Sequence, residues 1–191
     1  MQETAQQYTQ RILSYVEGRD AIRVQKTTAA RLLKAVRGLT PKQLKWQPSA
    51  GKWSIAEIIA HLSDGEIVAG WRYRSIIGES GITVQPYDQN AWVSVFNYRD
   101  RDVKQSIETF RVLRENNLRM LKEIPREVWD HYGIHLERGK ESIVHLARMF
   151  AGHDANHALQ IEGIVKQLKD AERSKVSKPA KSGRTKRQRK R

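Results

Sequence analysis

The last third of the chain carries one continuous apolar stripe, and this stripe constrains the fold more than any other feature. Its members recur at steps of three or four residues, in phase with the 3.6-residue turn of an α-helix. They are Ile143, Ala147, Phe150, His153, His157, Ile161, Ile164 and Leu168. The pattern predicts one long helix, from about Ser142 to about Lys169, with a single face packed on a core.

Two earlier stretches also show helical patterning. Positions 7–15 and 24–36 form a first helical region that is interrupted by a glycine-containing segment. The second helix has the clearest start signal in the chain, because Ser54 can cap it and Glu57 follows three residues later, which is the spacing of a capping box. This helix is expected to close near Gly78, where a glycine ends the apolar pattern.

A third helix is predicted from about Asp102 to about Ile124, where apolar residues again recur with helical spacing. The stretch before it, at 83–100, is expected to be irregular. The stretch after it, at 125–142, contains proline and glycines and is expected to be a loop or a short hairpin. Four long helices joined by connections of uneven length predict an all-α fold, a four-helix bundle.

The positive charge of the chain is concentrated after position 170. Residues 171–191 hold ten Lys or Arg and one acid, whereas residues 1–170 hold 25 basic and 20 acidic residues. The basic segment has almost no large apolar side chain, so it cannot bury enough surface to offset the entropy of ordering. We therefore expect a bundle domain at 1–170 and a disordered basic tail at 171–191. The tail either binds nucleic-acid phosphates through counterion release or only aids solubility. Both interpretations stay open, because no aromatic residues interleave with its charges to stack on bases.

Several classes of site and location are excluded by what the sequence lacks. The chain contains no cysteine, which rules out disulfides, thiolate metal sites and a cysteine nucleophile. No stretch approaches about 18 apolar residues, and the N-terminus lacks the basic and apolar regions of a signal peptide. We expect a cytoplasmic protein that does not associate with a membrane.

Two histidines of the long stripe are separated by four residues. His153 and His157 differ by about 40° around the helix axis and by about 6 Å along it, which suits two imidazoles that bind one ion. His61 on the second helix is a third candidate, because a polar ring near a core is costly without a partner. One divalent cation would serve all three rings. The alternative is that each is a hydrogen-bonded core histidine, and the pattern alone leaves both interpretations open.

The remaining histidines are weaker candidates. His131 and His135 have the same spacing, but in an extended segment their Cα atoms would be about 13 Å apart, too far for one small ion. His145 differs from His153 by about 80° around the helix and is expected at the edge of the bundle. We therefore leave these three out of the predicted site.

The segments around the candidate ligands resemble a known family. "GKWSIAEIIAHLSD" is followed later in the chain by "AGHDANHALQI", and this combination resembles the DinB/YfiT-like family of bacterial metal-binding four-helix bundles. Trp53, Ser54, Glu57 and His61 match the first motif of that family, W-S-x-x-E-x-x-x-H. The resemblance covers most of the chain, although family members do not generally carry a basic tail.

The resemblance implies a ligand set and a class of chemistry. It implies that His61, His153 and His157 bind a divalent metal ion, zinc or nickel in the first place and manganese or iron as alternatives. Three protein ligands leave positions open for water and substrate, as in catalytic zinc sites. It further implies a homodimer and a thiol-dependent transferase, in which a low-molecular-weight thiol is activated on the metal. Hydrolysis by a metal-activated water is equally compatible with these residues.

Residues near the predicted ligands have two interpretations each. Glu57 and Asp64 lie one turn from His61 and would orient its ring, or they are ordinary capping and surface residues. The segment "PYDQNAW" would place Tyr87, Asp88 and Trp92 at the mouth of a pocket for substrate contact, or it is an ordinary packed loop.

Two functions from different classes follow from these features. The first is a metal-dependent transferase or hydrolase that acts on a small molecule. The alternative is a non-catalytic, stress-related protein that associates with nucleic acid through residues 171–191 and holds a structural metal. The alternative predicts DNA affinity that falls steeply with salt.

Overall fold

The computed structural model describes residues 3–176, and four long helices form its framework. The four are α2, α4, α6 and α7; α1 packs on α7, and α3 and α5 are short. The helices are α1 Ala5–Ser14, α2 Ala21–Val36, α3 Pro41–Leu44, α4 Ile55–Gly78, α5 Gln89–Val95, α6 Val103–Glu123 and α7 Ile143–Val176. The predicted four-helix bundle is confirmed. None of the described helices is long and apolar enough to cross a lipid bilayer.

Side-chain caps set where the long helices begin. The Asp20 side chain accepts hydrogen bonds from backbone amides at the start of α2, and Asp102 does the same for α6. Ser54 and Glu57 form the predicted capping box at the start of α4. Such caps satisfy backbone amides that have no partner inside a helix, each contributing about 1 kcal/mol. The capping box therefore determines the residue at which α4, the helix that carries His61, begins.

The interior of the bundle consists of two apolar clusters separated by polar side chains. One cluster contains Leu32, Ile58, Phe110 and Ile161, and the other contains Tyr73 and its neighbours on α4, α6 and α7. Each of the four long helices contributes buried or half-buried polar side chains to the region between the clusters. We call this set the polar layer: Gln25, Thr28, His61, Glu66, Arg114, Asn117, His153, Asp154 and His157. The predicted ligands therefore lie at mid-height in the bundle.

A small sheet closes one end of the bundle. It contains β1 Thr83–Val84, β2 Tyr132–His135 and β3 Gly139–Ser142. The predicted hairpin is confirmed, since β2 and β3 pair antiparallel, and β1 joins β2 in parallel with Thr83 opposite Ile134. The expectation of an irregular stretch at 83–100 was wrong in part, because this stretch contains β1 and α5. The Asp88 side chain caps α5, a signal that is weak in the sequence because the helix has only seven residues.

The last helix is longer than its apolar stripe. It continues to Val176, whereas the stripe predicted an end near Lys169. Residues 170–174 are exposed, and a hydrogen bond of 2.6 Å from the Gln43 side chain to Glu172 links this part of α7 to α3. The first six residues of the predicted tail are therefore helical. Residues 177–191 lie outside the described residues, so the predicted division at position 170 stays a prediction.

A close approach of α1 to α7 gives a first testable prediction. A Cβ atom at Gly152 would lie 2.1 Å from the carbonyl oxygen of Ile12, so Gly152→Ala forces α1 to move. We expect this substitution to lower the free energy of unfolding by about 1–3 kcal/mol. At Gly163, on the same helix, an added Cβ meets nothing within 4 Å. Gly163→Ala is therefore expected to raise the free energy of unfolding by about 0.5–1 kcal/mol.

Urea unfolding of the two variants and the wild-type chain measures both effects. The same substitution at two positions of one helix is expected to change the free energy of unfolding in opposite directions. A destabilisation of equal size at both positions would contradict it.

Candidate metal centre

Three histidine side chains meet inside the polar layer. α4 contributes His61, and α7 contributes His153 and His157. The Nε2 atom of His153 lies 3.0 Å from Nε2 of His61 and 3.1 Å from Nε2 of His157. His61 and His157 are 2% and 8% exposed. The structure thus brings together the three residues that the sequence singled out.

The contacts between these nitrogens cannot all be hydrogen bonds. A neutral imidazole nitrogen carries either one proton or one in-plane lone pair. Nε2 of His153 can therefore make one hydrogen bond, either as donor or as acceptor, but it faces two other Nε2 atoms. If this nitrogen carries a proton, the proton can point at only one of the two neighbours; if it carries the lone pair, that single lone pair would have to accept from both. A cation that receives one lone pair from each of the three nitrogens removes this conflict.

The donor set and its spacing fit a divalent metal ion. Two nitrogens bound to one zinc ion at tetrahedral angles lie about 3.3 Å apart, since each Zn–N bond is about 2.0–2.1 Å. The observed separations of 3.0 and 3.1 Å are close to this value. Nδ1 of His157 lies 3.0 Å from Oε1 of Gln160, which can only accept, so the proton of this ring is on Nδ1. Nε2 of His157 is then left with a free lone pair, as a ligand requires.

Burial keeps the three rings neutral. Loss of solvation, with a smaller contribution from His157, lowers the pKa of His61 to about 3. Burial lowers the pKa of His157 to about 4 and that of His153 well below its ordinary value. Neutral imidazoles are the form that binds metal, because a protonated nitrogen has no lone pair to donate. The site is therefore ready for a cation at neutral pH.

Trp53 covers one side of the histidine cluster. Its ring lies 5.0 Å from the ring of His61 and 6.3 Å from that of His157, with the latter two planes only 14° apart. Trp53 stands just before the cap of α4, so the capping box positions the indole as well as the helix. The sequence motif alone assigns no role to this indole. The structure gives it a physical role in holding two of the rings and shielding them from water.

A buried ionic cluster supports α7 behind the histidines. The guanidinium of Arg114 donates to both carboxylate oxygens of Glu66 and to both of Asp154, the residue after His153. Asp154 also accepts a hydrogen bond of 2.9 Å from the Thr28 hydroxyl. α2, α4, α6 and α7 each contribute one side chain to this cluster. It fixes the position of the helix turn that carries His153.

The two carboxylates considered as orienting groups for His61 are hydrogen-bonded to other residues. Glu57 accepts hydrogen bonds from Ser54 and Gln47, and Asp64 accepts them from Tyr98 and Arg101. Of the two interpretations, the orienting one was therefore wrong for both residues. Glu57 has the alternative role of a helix cap, while Asp64 anchors the segment that precedes α6.

The other histidines lie away from the cluster, as predicted. Nδ1 of His131 contacts the carbonyl of Ile76 at 3.3 Å. His135 lies on β2 beside Arg72, and His145 lies 3.8 Å from Glu141 at the edge of the bundle. Within residues 3–176, His61, His153 and His157 form the one group whose side chains could hold a metal ion together.

A cavity of about 510 Å³ opens beside the histidine cluster, and His153 is the member of the cluster that lines it. Tyr87 and Asp88 line this cavity, and their contact with a substrate stays a prediction. Trp92 does not line the cavity, and its ring packs 4.6 Å from that of Tyr87. Gly65, one turn after His61, also lines the cavity and leaves room beside the ring.

Sequence reasoning missed three residues of the site: Arg72, His135 and Gln160. Arg72 had a usable signal, since it follows His61 by eleven residues and therefore lies within about 20° of it around α4. Gln160 had one too, being three residues after His157 on the same face. His135 had none, because it reaches the cavity through the pairing of β2 with β1.

Comparison with known proteins identifies relatives over most of the chain. The family model of the DinB superfamily matches residues 26–161, a range that includes all three histidines. A protein of Oceanobacillus iheyensis named "Putative metal-dependent hydrolase" is 26% identical over 138 residues, which cover 72% of this chain and 80% of that protein. A protein of Bacillus cereus with the same name is 23% identical over 137 residues, covering 72% and 79%.

A solved structure shares the fold. It is YfiT from Bacillus subtilis, described as "a probable metal-dependent hydrolase with an unusual four-helix bundle topology". The TM-score is 0.74 at 19% sequence identity, and the match covers 78% of this chain and 86% of that one.

Proposed function

The chain belongs to the DinB superfamily, and on that premise we propose that it is a metal-dependent hydrolase of a small molecule. His61, His153 and His157 would hold the divalent cation. The observation that carries the proposal is the convergence of three Nε2 atoms whose contacts cannot all be hydrogen bonds. The names of the relatives from Oceanobacillus iheyensis and Bacillus cereus point to the same chemistry.

Different residues would have different roles in such a site. A bound divalent cation supplies Lewis-acid chemistry, polarising a substrate carbonyl and lowering the pKa of water. His153 connects the cluster with the cavity, so a substrate bound in the cavity would lie beside this ring. Trp53 shields His61 and His157, and Gln160 holds the proton of His157 on Nδ1. These contacts keep two ligands fixed and leave the third side open to substrate.

The choice of cation follows from the ligand type. Three imidazoles are ligands of intermediate softness that suit zinc and nickel, with manganese or iron as alternatives. Three protein ligands would leave coordination positions for water and substrate, as in catalytic zinc sites. We propose zinc or nickel as the first ions to test.

Other hypotheses from the sequence stay predictions. These are a thiol-dependent transferase with a low-molecular-weight thiol as partner, a homodimer, a cytoplasmic location and a nucleic-acid-binding tail. A transferase would use the same three histidines and the same cavity. The tail hypothesis concerns residues that are for the most part outside 3–176.

Hydrolysis of a simple ester tests the proposed function. The full chain, purified and loaded with zinc or nickel, is expected to hydrolyse 4-nitrophenyl butyrate faster than the same chain after chelation. Returning the ion should restore the rate, and the His153→Ala chain should not respond to it. His145→Ala is the matched control, because this histidine lies on the same helix but at the edge of the bundle. Equal rates for the metal-loaded and the chelated chain, with metal content confirmed for each, would contradict the proposal.

A further inference from the structure

Arg72 is a buried cation without a carboxylate partner in the described part of the chain. It lies on α4 and is 7% exposed. Its Nη2 atom donates to the carbonyl oxygen of Gln85 at 2.8 Å and lies 3.3 Å from Nε2 of His135. Across residues 3–176, no hydrogen-bond acceptor lies within reach of its Nε or Nη1 atoms. Tyr73 Oη is the one fully enclosed side-chain N or O atom there that lacks a partner, so these free nitrogens of Arg72 are reached by solvent.

The neighbouring histidine offers a second donor rather than an acceptor. Nδ1 of His135 accepts a hydrogen bond of 3.2 Å from the backbone amide of Glu137. A neutral ring that accepts at Nδ1 carries its proton on Nε2. Burial, with Arg138 and Arg72 nearby, lowers the pKa of His135 to about 4, so the ring is neutral at pH 7. Nε2–H of His135 and Nη2–H of Arg72 therefore approach each other as two donors, and an acceptor between them is missing.

Both donors line the cavity that leads to His153. Arg138 also lines it, but Glu141 binds its Nε and Nη2 atoms in a bidentate pair. The acidic residues of the lining are all exposed, so they lie at the rim, and none of them pairs with Arg72: they are Glu3, Asp88 and Glu137. The uncompensated charge deep in the cavity is therefore positive and belongs to Arg72.

We propose that Arg72 and His135 bind the carboxylate of an anionic small-molecule substrate whose reacting group lies at the three histidines. The inference rests on the proposed function, since it places the substrate of that function in this cavity. Free N–H groups of a guanidinium match the two oxygens of a carboxylate. Arg72 and His61 lie on the same face of α4, about 16 Å apart along the axis. The substrate therefore carries its carboxylate several bonds away from the group that reacts.

A pair of probes that differ only in charge tests this binding. 4-Phenylbutyrate and the uncharged 4-phenylbutanamide are titrated calorimetrically into the full chain after chelation, so that no cation competes for the carboxylate. We expect the carboxylate to bind at least tenfold more tightly than the amide. Arg72→Gln should abolish this preference. Arg72→Lys, which keeps the charge but not the planar group, should keep only part of it.

Arg74→Gln is the matched control, because Arg74 lies two residues away on the same helix and is bound to Gly70 and Asn117 outside the cavity. This variant should keep the full preference. Thermal unfolding checks that Arg72→Gln is folded, and its melting temperature should not fall, because the substitution removes a buried charge without a counter-charge. The inference is overturned if the wild-type chain shows no preference for the carboxylate, or if Arg72→Gln retains it. Tighter binding of inorganic phosphate than of 4-phenylbutyrate would overturn the choice of a carboxylate.

The result is independent of the proposed hydrolysis, because the titration uses the chain without its ion. A carboxylate preference with no metal-dependent hydrolysis would leave the anion site intact and overturn the proposed function. Metal-dependent hydrolysis without a carboxylate preference would support the proposed function and overturn the anion site.

Discussion

The His153→Ala chain is expected to bind a divalent cation at least about 100-fold more weakly than the wild-type chain, a loss larger than that from removing a residue outside the ligand set. The reason is geometric. Nε2 of His153 is the atom that lies within about 3 Å of both other Nε2 atoms, so it stands between His61 and His157. Without it, two nitrogens from two different helices remain. Elemental analysis of the purified chain, followed by competition with a coloured chelator, measures the change.

Two controls keep this result specific to the site. His145→Ala removes a histidine from the same helix, at a position 3.8 Å from Glu141 and away from the cluster. It should retain wild-type metal content. Circular dichroism of both variants checks that the helices are present. A His153→Ala chain that keeps its full metal content would show that the three histidines are a hydrogen-bonded polar core and not a metal centre.

The second large effect is expected at Arg114, behind the histidines. Arg114, Glu66 and Asp154 have side chains that are 3%, 3% and 1% exposed. Arg114→Ala leaves two buried carboxylates without their counter-charge, and we expect a loss of about 3–5 kcal/mol in the free energy of unfolding. Urea unfolding at pH 7 on the metal-free chain measures it without a contribution from bound ions.

Arg111 provides the matched control for this substitution. It lies one turn earlier on α6 and pairs with Glu108 and Glu115, but its side chain is 40% exposed. Exposed ion pairs contribute little to stability, so Arg111→Ala should change the free energy of unfolding far less than Arg114→Ala does. If the two substitutions cost the same, the buried cluster does not stabilise the bundle in the way its burial implies. A large loss at Arg114 alone would confirm that the cluster holds α7 in place.

The framework of the fold and the histidine cluster were within reach of the sequence. Local signals predict each long helix: a capping residue such as Ser54, and apolar residues that recur with the period of a helix. His153 and His157 share one helix, so their separation follows from helix geometry alone. His61 could be added because its position beside Leu62 makes an unpartnered polar ring costly. The sequence therefore predicts features that are determined within a single helix, including which of its side chains face the core.

The features that were missed depend on contacts between distant segments. Arg72 and His135 are 63 residues apart in sequence, and their meeting depends on the pairing of β2 with β1. Asp64 was given a role beside His61, but Tyr98 and Arg101 bind it from the segment before α6. No periodicity in the chain encodes such partners. The substrate side of the cavity is assembled from these contacts, which is why the sequence pointed to the ligands before it pointed to the substrate.

The polar layer has a consequence for how the helices align. A purely apolar interface allows a helix to slide by one turn and still bury its stripe, because one apolar residue replaces another. In this bundle such a slide would remove Arg114 from both of its carboxylates and separate His61 from His153. Each wrong axial alignment would therefore leave charged or polar groups unpaired in the interior. We infer that the layer selects a single helix register, so the residues that prepare the chain for chemistry also specify its one native arrangement.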